Sequence, residues 1–392
     1  MKVAMVIGSA SRLGGGVSEA LAGLVAALKD RGMAPIVITL RDAHTQEDKA
    51  RFDGVRVIAC DSVGPHRFRF PLGLAGALVE ARPDVIHLHG LWMRQSKTVL
   101  AHHLKYGTPY IVSPHGMADP WIMARSRLLK KAVFALYEGE LLTRARSVHA
   151  LNAAEATAVM ALRPRVETVV IPNGVATPFS VEEVRRRRMA AVGAPLRYLY
   201  LGRLHPKKNV DGLLAGWKRF LDNRGLYDGA APRLDIVGWG DAAYEASLRA
   251  EIDRMGSAYN VTLLGPLFGA DKHDAFCAAD FTVLPTHSEG APLTPLEGWA
   301  AGALAIASPA CGLDFAYGDG LAVKTGVEPE EIAAALDRAY AVAPDTRAAL
   351  SAAAMKVVQD RFSWSAIAAQ WERVYAGSLQ TAAEEQSVRR TA

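Results

Sequence analysis

FTVLPTHSEGAPLTPLEGWAAGALAIAS, residues 281–308, compresses a fold into one line. Two apolar runs, FTVLPT (281–286) and ALAIAS (303–308), flank a loop and a helix expected over 292–301. The runs are continuous and not alternating, which marks strands buried on both faces and therefore a parallel sheet covered by helices. Pro292 suits the first turn of that helix. The early N–H groups, at Leu293 and Thr294, lack partners within the helix and are free for phosphate oxygens. Glu289 precedes the helix and Glu297 lies one turn beyond Thr294, at the reach of a ribose diol. A carboxylate near a helix start also has an ordinary use as a dipole partner, so neither glutamate alone identifies a site.

The same unit recurs on either side. Upstream in this half are LRYLYLGR (196–203), RLDIVGWG (233–240) and VTLLGPL (261–267), each ending in a loop. The first half carries VAMVIGS (3–9), PIVITL (35–40), VRVIAC (55–60), VIHLHG (85–90), YIVSPHG (110–116), SVHALN (147–152) and ETVVIPNG (167–174). Segments of helical period separate most of them, such as VSEALAGLVAALKDRG (17–32), with Gly32 as its C-cap. A polar stretch rich in charge, Pro and Gly, 176–195, reads as a linker with a short exposed helix. The expected layout is two doubly wound domains, 1–175 and 176–362. A closing helix, 363–379, carries Trp364, Ile367, Trp371 and Tyr375 at helical spacing, and the last dozen residues read as frayed. Ligands of open α/β sheets bind beyond the carboxyl ends of the strands, so an interdomain cleft is the expected site.

Bulk properties agree with an ordinary globular protein. The chain has 392 residues, half of them apolar and 22% charged, enough for two domains of roughly 150–200 residues. No apolar stretch reaches the ~18–20 residues of a membrane span. The opening MKVAMVIGSA reads as a buried first strand and not as a signal peptide. Cys60, Cys277 and Cys311 show neither metal nor disulfide spacing and read as reduced thiols in a cytosol. Residues 1–173 hold 22 Lys/Arg against 14 Asp/Glu, although the whole chain carries only +5. A basic front half suits an anionic partner, and equally a solvated surface.

GRLHPKKN ends the first strand of the second half with Arg203 and Lys208, beside a helix opening near Asn209. A guanidinium and an ammonium at a helix N-terminus suit a diphosphate, though a plain basic surface pair fits as well. Taken together, SEGAPLTPLEGWAAGALAIAS, YLGRLHPKKNVDGLL, DIVGWGD, LLGPL, AFCAADFTVLPT, VVIPNGV, GGGVSEALAGLVAAL and FSWSAIAAQWERVY resemble the retaining GT-B glycosyltransferases of family 4, the group 1 glycosyltransferases. The resemblance covers nearly the whole chain and implies a GT-B fold of two Rossmann-like domains facing a cleft.

That resemblance assigns roles. Arg203 and Lys208 would grip the donor diphosphate, Glu297 the ribose and Glu289 the sugar hydroxyls. The loop at Pro266–Gly269, with Leu267, would face the nucleobase. Gly15 and Gly16 would admit close backbone approach, and His115 would lie near the transferred sugar. His87 and His89 read as core or rim histidines. Asn209 replaces a common glycine, Gly298 an alanine and Pro292 a glycine.

The implied reaction moves a sugar, with retention, from a UDP- or GDP-linked donor to a glycan or lipid-linked glycan in surface-polysaccharide assembly. It needs no cofactor and no metal, because the two cations neutralise the leaving group and the chain lacks an Asp-x-Asp pair. A nucleotide-sugar epimerase is the nearest rival. A nicotinamide dehydrogenase would want G-x-G-x-x-G, which GSASRLGGG lacks. A basic nucleic-acid binder lacks its motifs. The segment WIMARSRLLKKAVFALYEGELL (121–142), with Arg125, Lys130 and Lys131, reads either as a basic amphipathic helix at the inner face of an anionic membrane or as an ordinary packed helix.

Overall fold

The computed structural model describes residues 1–64, 70–124, 126–177, 180–190, 193–227, 231–289 and 293–391. Arg125 and Pro292 lie outside them. The chain divides into two compact units, Met1–Gly174 with Trp364–Ala392, and Val175–Ser363.

In the first unit, β1 (Lys2–Ile7), β2 (Ala34–Leu40) and β3 (Arg56–Cys60) are followed by a two-stranded ribbon, β4 (Ser62–Val63) with β5 (Phe70–Pro71). Then come β6 (Val85–His89), β7 (Tyr110–Ser113), β8 (Ser147–Ala150) and β9 (Thr168–Val170). The parallel sheet runs β3-β2-β1-β6-β7-β8-β9. β1 shows why its sequence is a continuous apolar run. Ala4 and Val6 enter one core with Ile86, Leu88 and Val112. Val3, Met5 and Ile7 enter the other with Leu21, Leu24 and Leu28 of the helix Gly15–Asp30. Each such side chain removed from water contributes about 1.5–3 kcal/mol before entropy is charged against it.

The closing helix, Trp364–Thr391, belongs to this unit, and Ile367, Trp371 and Tyr375 are buried in the second of those cores. It continues to Thr391, where fraying was expected from residue 381 onward. The segment 121–142 is also not one helix. It breaks into Pro120–Ala124, Arg127–Val133, a π-turn Phe134–Glu138 and Gly139–Arg144, with Ser126 in the left-handed region (φ 52) at the break. The π-turn adds one residue to the spiral and brings Tyr137 and Glu138 inward.

The second unit holds β10 (Arg197–Leu201), β11 (Arg233–Val237), β12 (Val261–Gly265), β13 (Phe281–Leu284), β14 (Leu304–Ala307) and β15 (Ala322–Lys324). Its parallel sheet runs β12-β11-β10-β13-β14-β15. Trp217 and Trp299 fill its core at 0% exposure. β15 is only three residues long, too short for its apolar run to register in the sequence. In each sheet the winding direction reverses once, between β1 and β6 and between β10 and β13. Such switch points open a crevice at the carboxyl edge, which is where open α/β sheets take ligands.

Candidate active site

The second unit gathers cations and acids at its switch point. After β10 the chain makes a short turn, Pro206–Lys208, and enters the helix Val210–Arg224 through Asn209. After β13 it runs to Glu289, and the described part of the next helix is Leu293–Ala300. The two loops are tied together by Lys207, whose carbonyl accepts from the His287 N–H at 3.0 Å. That tie brings Lys208 against Glu289, and Nζ and Oε2 form an ion pair with both side chains largely buried. Burial pushes the Lys208 ammonium down to about 8, helped by the nearby charges of Lys207 and Arg203.

Glu297, one turn into its helix, is half-buried and paired. Its Oε1 accepts from Lys272 Nζ at 2.7 Å, and Lys272 belongs to the helix Gly269–Ala278 that follows β12. The Thr294 hydroxyl donates to the carbonyl of Leu201, the last residue of β10, at 2.8 Å, fixing the helix start over the strand end. Leu293 packs on the large core and Leu267 on the small cluster of Leu199, Val237 and Phe276. Arg203 is exposed and makes no ion pair among the described residues. Four of the charged groups therefore cancel in two pairs, and Arg203 and Lys207 leave the edge cationic.

Two departures from the family pattern have physical reasons here. Asn209 sits at φ 60, which explains why glycine is common at that position, and its amide donates to the carbonyls of Pro285 (3.1 Å) and Val327 (2.7 Å). At Gly298 a Cβ would lie 2.6 Å from Thr282 Cγ2, so alanine does not fit against this strand.

The first unit's switch point carries the other expected residues. Gly15 opens its helix at φ 56, and a Cβ built at either Gly15 or Gly16 meets nothing within 4 Å. The backbone there is open to whatever approaches. The glycine that packing demands is Gly14, where a Cβ would stand 2.4 Å from the Ser9 carbonyl oxygen. His115 follows β7 at φ 52 and is half-buried.

Behind it lies an array the sequence did not announce. The Tyr375 hydroxyl meets His87 Nδ1 at 2.8 Å, and His87 Nε2 meets Ser113 Oγ at 2.6 Å. Ser113 Oγ meets His149 Nδ1 at 2.7 Å, and His149 Nε2 meets the Ile171 carbonyl at 2.6 Å. A carbonyl only accepts, so His149 carries its proton on Nε2. Every other link then runs one way: Tyr375 donates to His87, His87 to Ser113, and Ser113 to His149. Burial drives all the histidines down, His149 to about 4, His89 to about 3, and His87 and His115 well below the usual range. Four neutral imidazoles crowd together, yet among the described residues no three His, Cys, Asp or Glu side chains form a metal-binding group. A signal existed in the sequence: three successive strand ends, VIHLH, YIVSPH and SVHA, each deliver histidine to one sheet edge.

Residues 15–174 match the family model of the glycosyl transferase 4-like domain, and residues 195–341 that of the glycosyl transferases group 1. A D-inositol 3-phosphate glycosyltransferase of Thermobispora bispora is 30% identical over 313 residues, covering 76% of this chain and 72% of the relative. A glycogen synthase of Mycobacterium tuberculosis is 28% identical, covering 85% and 82%. Among solved structures, HepE of Anabaena in complex with UDP superposes with a TM-score of 0.73 at 19% identity, over 96% of this chain and 100% of that one. Sucrose-phosphate synthase of Thermosynechococcus elongatus gives 0.73 at 19%, over 97% and 100%. The chain belongs to the group 1 glycosyltransferases, and its two parallel-sheet α/β domains are those of the GT-B fold.

Proposed function

We propose that the protein transfers a sugar from a UDP- or GDP-linked donor to a glycan or lipid-linked glycan acceptor, with retention at the anomeric carbon. One observation carries the reading: Arg203, Lys208, Glu289 and Glu297 converge on the β10/β13 switch point. In the proposed roles, the two cations take the diphosphate and stabilise its charge as the glycosidic bond breaks. Glu297 holds the ribose and Glu289 the sugar hydroxyls, while the turn at Leu267 and the helix start at Leu293 and Thr294 present backbone to base and phosphate. Gly15, Gly16 and His115 serve the sugar from the first unit.

The engagement of Glu289 with Lys208 supports a hydroxyl-binding part for that carboxylate in place of a nucleophile. The acceptor then attacks on the face the diphosphate leaves, and a leaving oxygen takes its proton. Two side-chain cations do the neutralising, so the reaction is proposed to run without a divalent metal. The names of the relatives, an inositol-phosphate glycosyltransferase and a glycogen synthase, support hydroxyl-rich acceptors and glycan synthesis.

The proposed setting is the cytoplasm, peripheral at the inner membrane face. Among the described residues no helix is long and apolar enough to cross a membrane. Leu128 and Leu136 are 84% and 76% exposed beside Arg127 and Lys131, which supports surface contact with anionic lipid. Co-sedimentation with anionic vesicles, unaltered by reversing the charge of Lys131, would remove that part of the proposal.

The test of the reaction is nucleoside diphosphate release. The full chain, given UDP- and GDP-sugars with chelator present, should release diphosphate only when an acceptor is added, and NMR of the product should show the donor's anomeric configuration. An epimerised donor, or no turnover with any donor, refutes the assignment.

A further inference from the structure

The array behind His115 holds one residue whose surroundings specify more than packing. His89, the last residue of β6, is 3% exposed, with its ring stacked on His87 (centroids 4.1 Å) and nearly parallel to that of His115, edge to edge (5.2 Å, planes 16° apart). Its Nδ1 lies 2.9 Å from His115 Nε2. Its Nε2 is buried and makes no hydrogen bond among the described residues. The ring borders a cavity of about 20 Å3 shared with Ser113, His149, Pro172 and Trp364, room for one water at most.

We infer that His89 is a positioning residue that fixes the tautomer of His115, so that His115 presents an N–H at Nδ1 to the substrate. Both rings are neutral, so each carries one proton, and one proton lies between Nδ1 of His89 and Nε2 of His115. There are two ways to arrange them. If His115 donates from Nε2, the His89 proton must sit on Nε2, a buried N–H without an acceptor. Orphaned N–H groups of that kind are rare in native proteins. If His89 donates from Nδ1, what is left unmet at Nε2 is a lone pair, which a native interior tolerates more readily than an unmet N–H. The second arrangement leaves His115 Nε2 as the acceptor and puts its own proton on Nδ1, which has no hydrogen-bond partner among the described residues.

The neighbouring ring strengthens the choice. His87 is locked by the one-way chain, donating from Nε2 to Ser113 and accepting at Nδ1 from Tyr375, so it offers His89 only its face. His115 sits in the left-handed backbone region, where a non-glycine residue is held by its surroundings and not by its own preference. The bond from His89 and the edge of His149 together set where its free nitrogen points. A sugar hydroxyl meeting that nitrogen is offered a hydrogen-bond donor and never a base. This inference rests on the proposed reaction for its consequence, but not for its geometry.

The experiment has two arms on the full-length chain. Long-range proton–nitrogen NMR of the histidine rings at neutral pH, with His115 assigned by the signal lost in His115→Gln, should show a bare Nε2 and a protonated Nδ1. A protonated Nε2 overturns the inference, and this arm needs no activity. In the kinetic arm, His89→Leu should lower kcat about 10- to 100-fold with little change in donor KM. His89→Asn, whose amide N–H stands where Nδ1–H stood, should restore kcat to within about threefold of the unaltered enzyme. Full turnover in His89→Leu, or equal loss in both variants, also overturns it. If no sugar is transferred by any form, the proposed function has failed, and the ring tautomer still decides this inference on its own.

Discussion

Lys208 and Glu289, 81 residues apart in sequence, form an ion pair across the switch point of the second sheet. In the free protein the cation proposed for the diphosphate is thus occupied by the acid proposed for the sugar. A donor brings a partner for each, so binding exchanges one pair for two. Replacing Glu289 with Gln removes the competitor: affinity for the bare nucleoside diphosphate should rise about two- to fivefold by calorimetry, since one ion pair no longer has to be broken, while sugar transfer collapses. Weaker diphosphate binding in Glu289→Gln would contradict the exchange.

Burial and the cations around it hold Lys208 near 8, below the usual lysine range. The ammonium, not the amine, binds phosphate, so donor affinity should fall as pH rises through and above about 8. Lys208→Arg, which does not deprotonate in that range, should flatten the alkaline limb. An alkaline limb that persists in Lys208→Arg would assign the titration elsewhere.

Arg203 carries no structural duty among the described residues: it is exposed and unpaired. Arg203→Ala should therefore leave the melting temperature unchanged, within the ~0.5 kcal/mol typical of surface sites, yet cut kcat at least 100-fold by removing charge stabilisation of the departing diphosphate. Retained turnover within a few-fold of the parent would exclude that role.

The four clustered histidines make stability depend on pH in one direction. Their folded values lie below the ordinary 6.5, with His149 near 4 and His89 near 3. The unfolded chain takes up protons that the native state refuses, so stability is fully present above pH 6.5 and is lost as pH falls from there toward 4. Each histidine contributes a slope of about 1.4 kcal/mol per pH unit in that window. Denaturant midpoints measured from pH 8 to 4 should show the decline, and a flat profile would mean that the cluster protonates without cost.

Gly298 faces Thr282 too closely for a methyl group. Gly298→Ala should cost about 1–3 kcal/mol of stability through overpacking, and Thr282→Ser, which deletes the clashing Cγ2, should recover most of it. Additive losses in the double variant would show that the two positions do not meet.

The layers of the molecule were legible because physics writes them in runs. Val3 to Ile7 must be apolar at every position when alternate side chains enter two different cores, and that unbroken run predicts a parallel strand. Arg203, Lys208, Glu289 and Glu297 were legible because each follows a strand into a loop or a helix start. What stayed hidden depends on pairing across the sequence. Lys272 reads as one more solvated lysine until the helix after β12 brings it to Glu297. His89 reads as a core residue because nothing local states that its Nδ1 meets His115. The break at Ser126 and the π-turn at Phe134–Glu138 were invisible because residues 121–142 keep a helical composition throughout.

The chain that begins at the Tyr375 hydroxyl starts on the closing helix and ends at Ile171. Its donor and the buried Trp371 emerge late in synthesis, more than two hundred residues after the strands they complete. Val175–Ser363, being uninterrupted, has its full set of partners earlier. Vectorial translation therefore reverses the expected order: the half made first is finished last, and a nascent chain stalled before residue 375 leaves the donorless His87 waiting in an unclosed core.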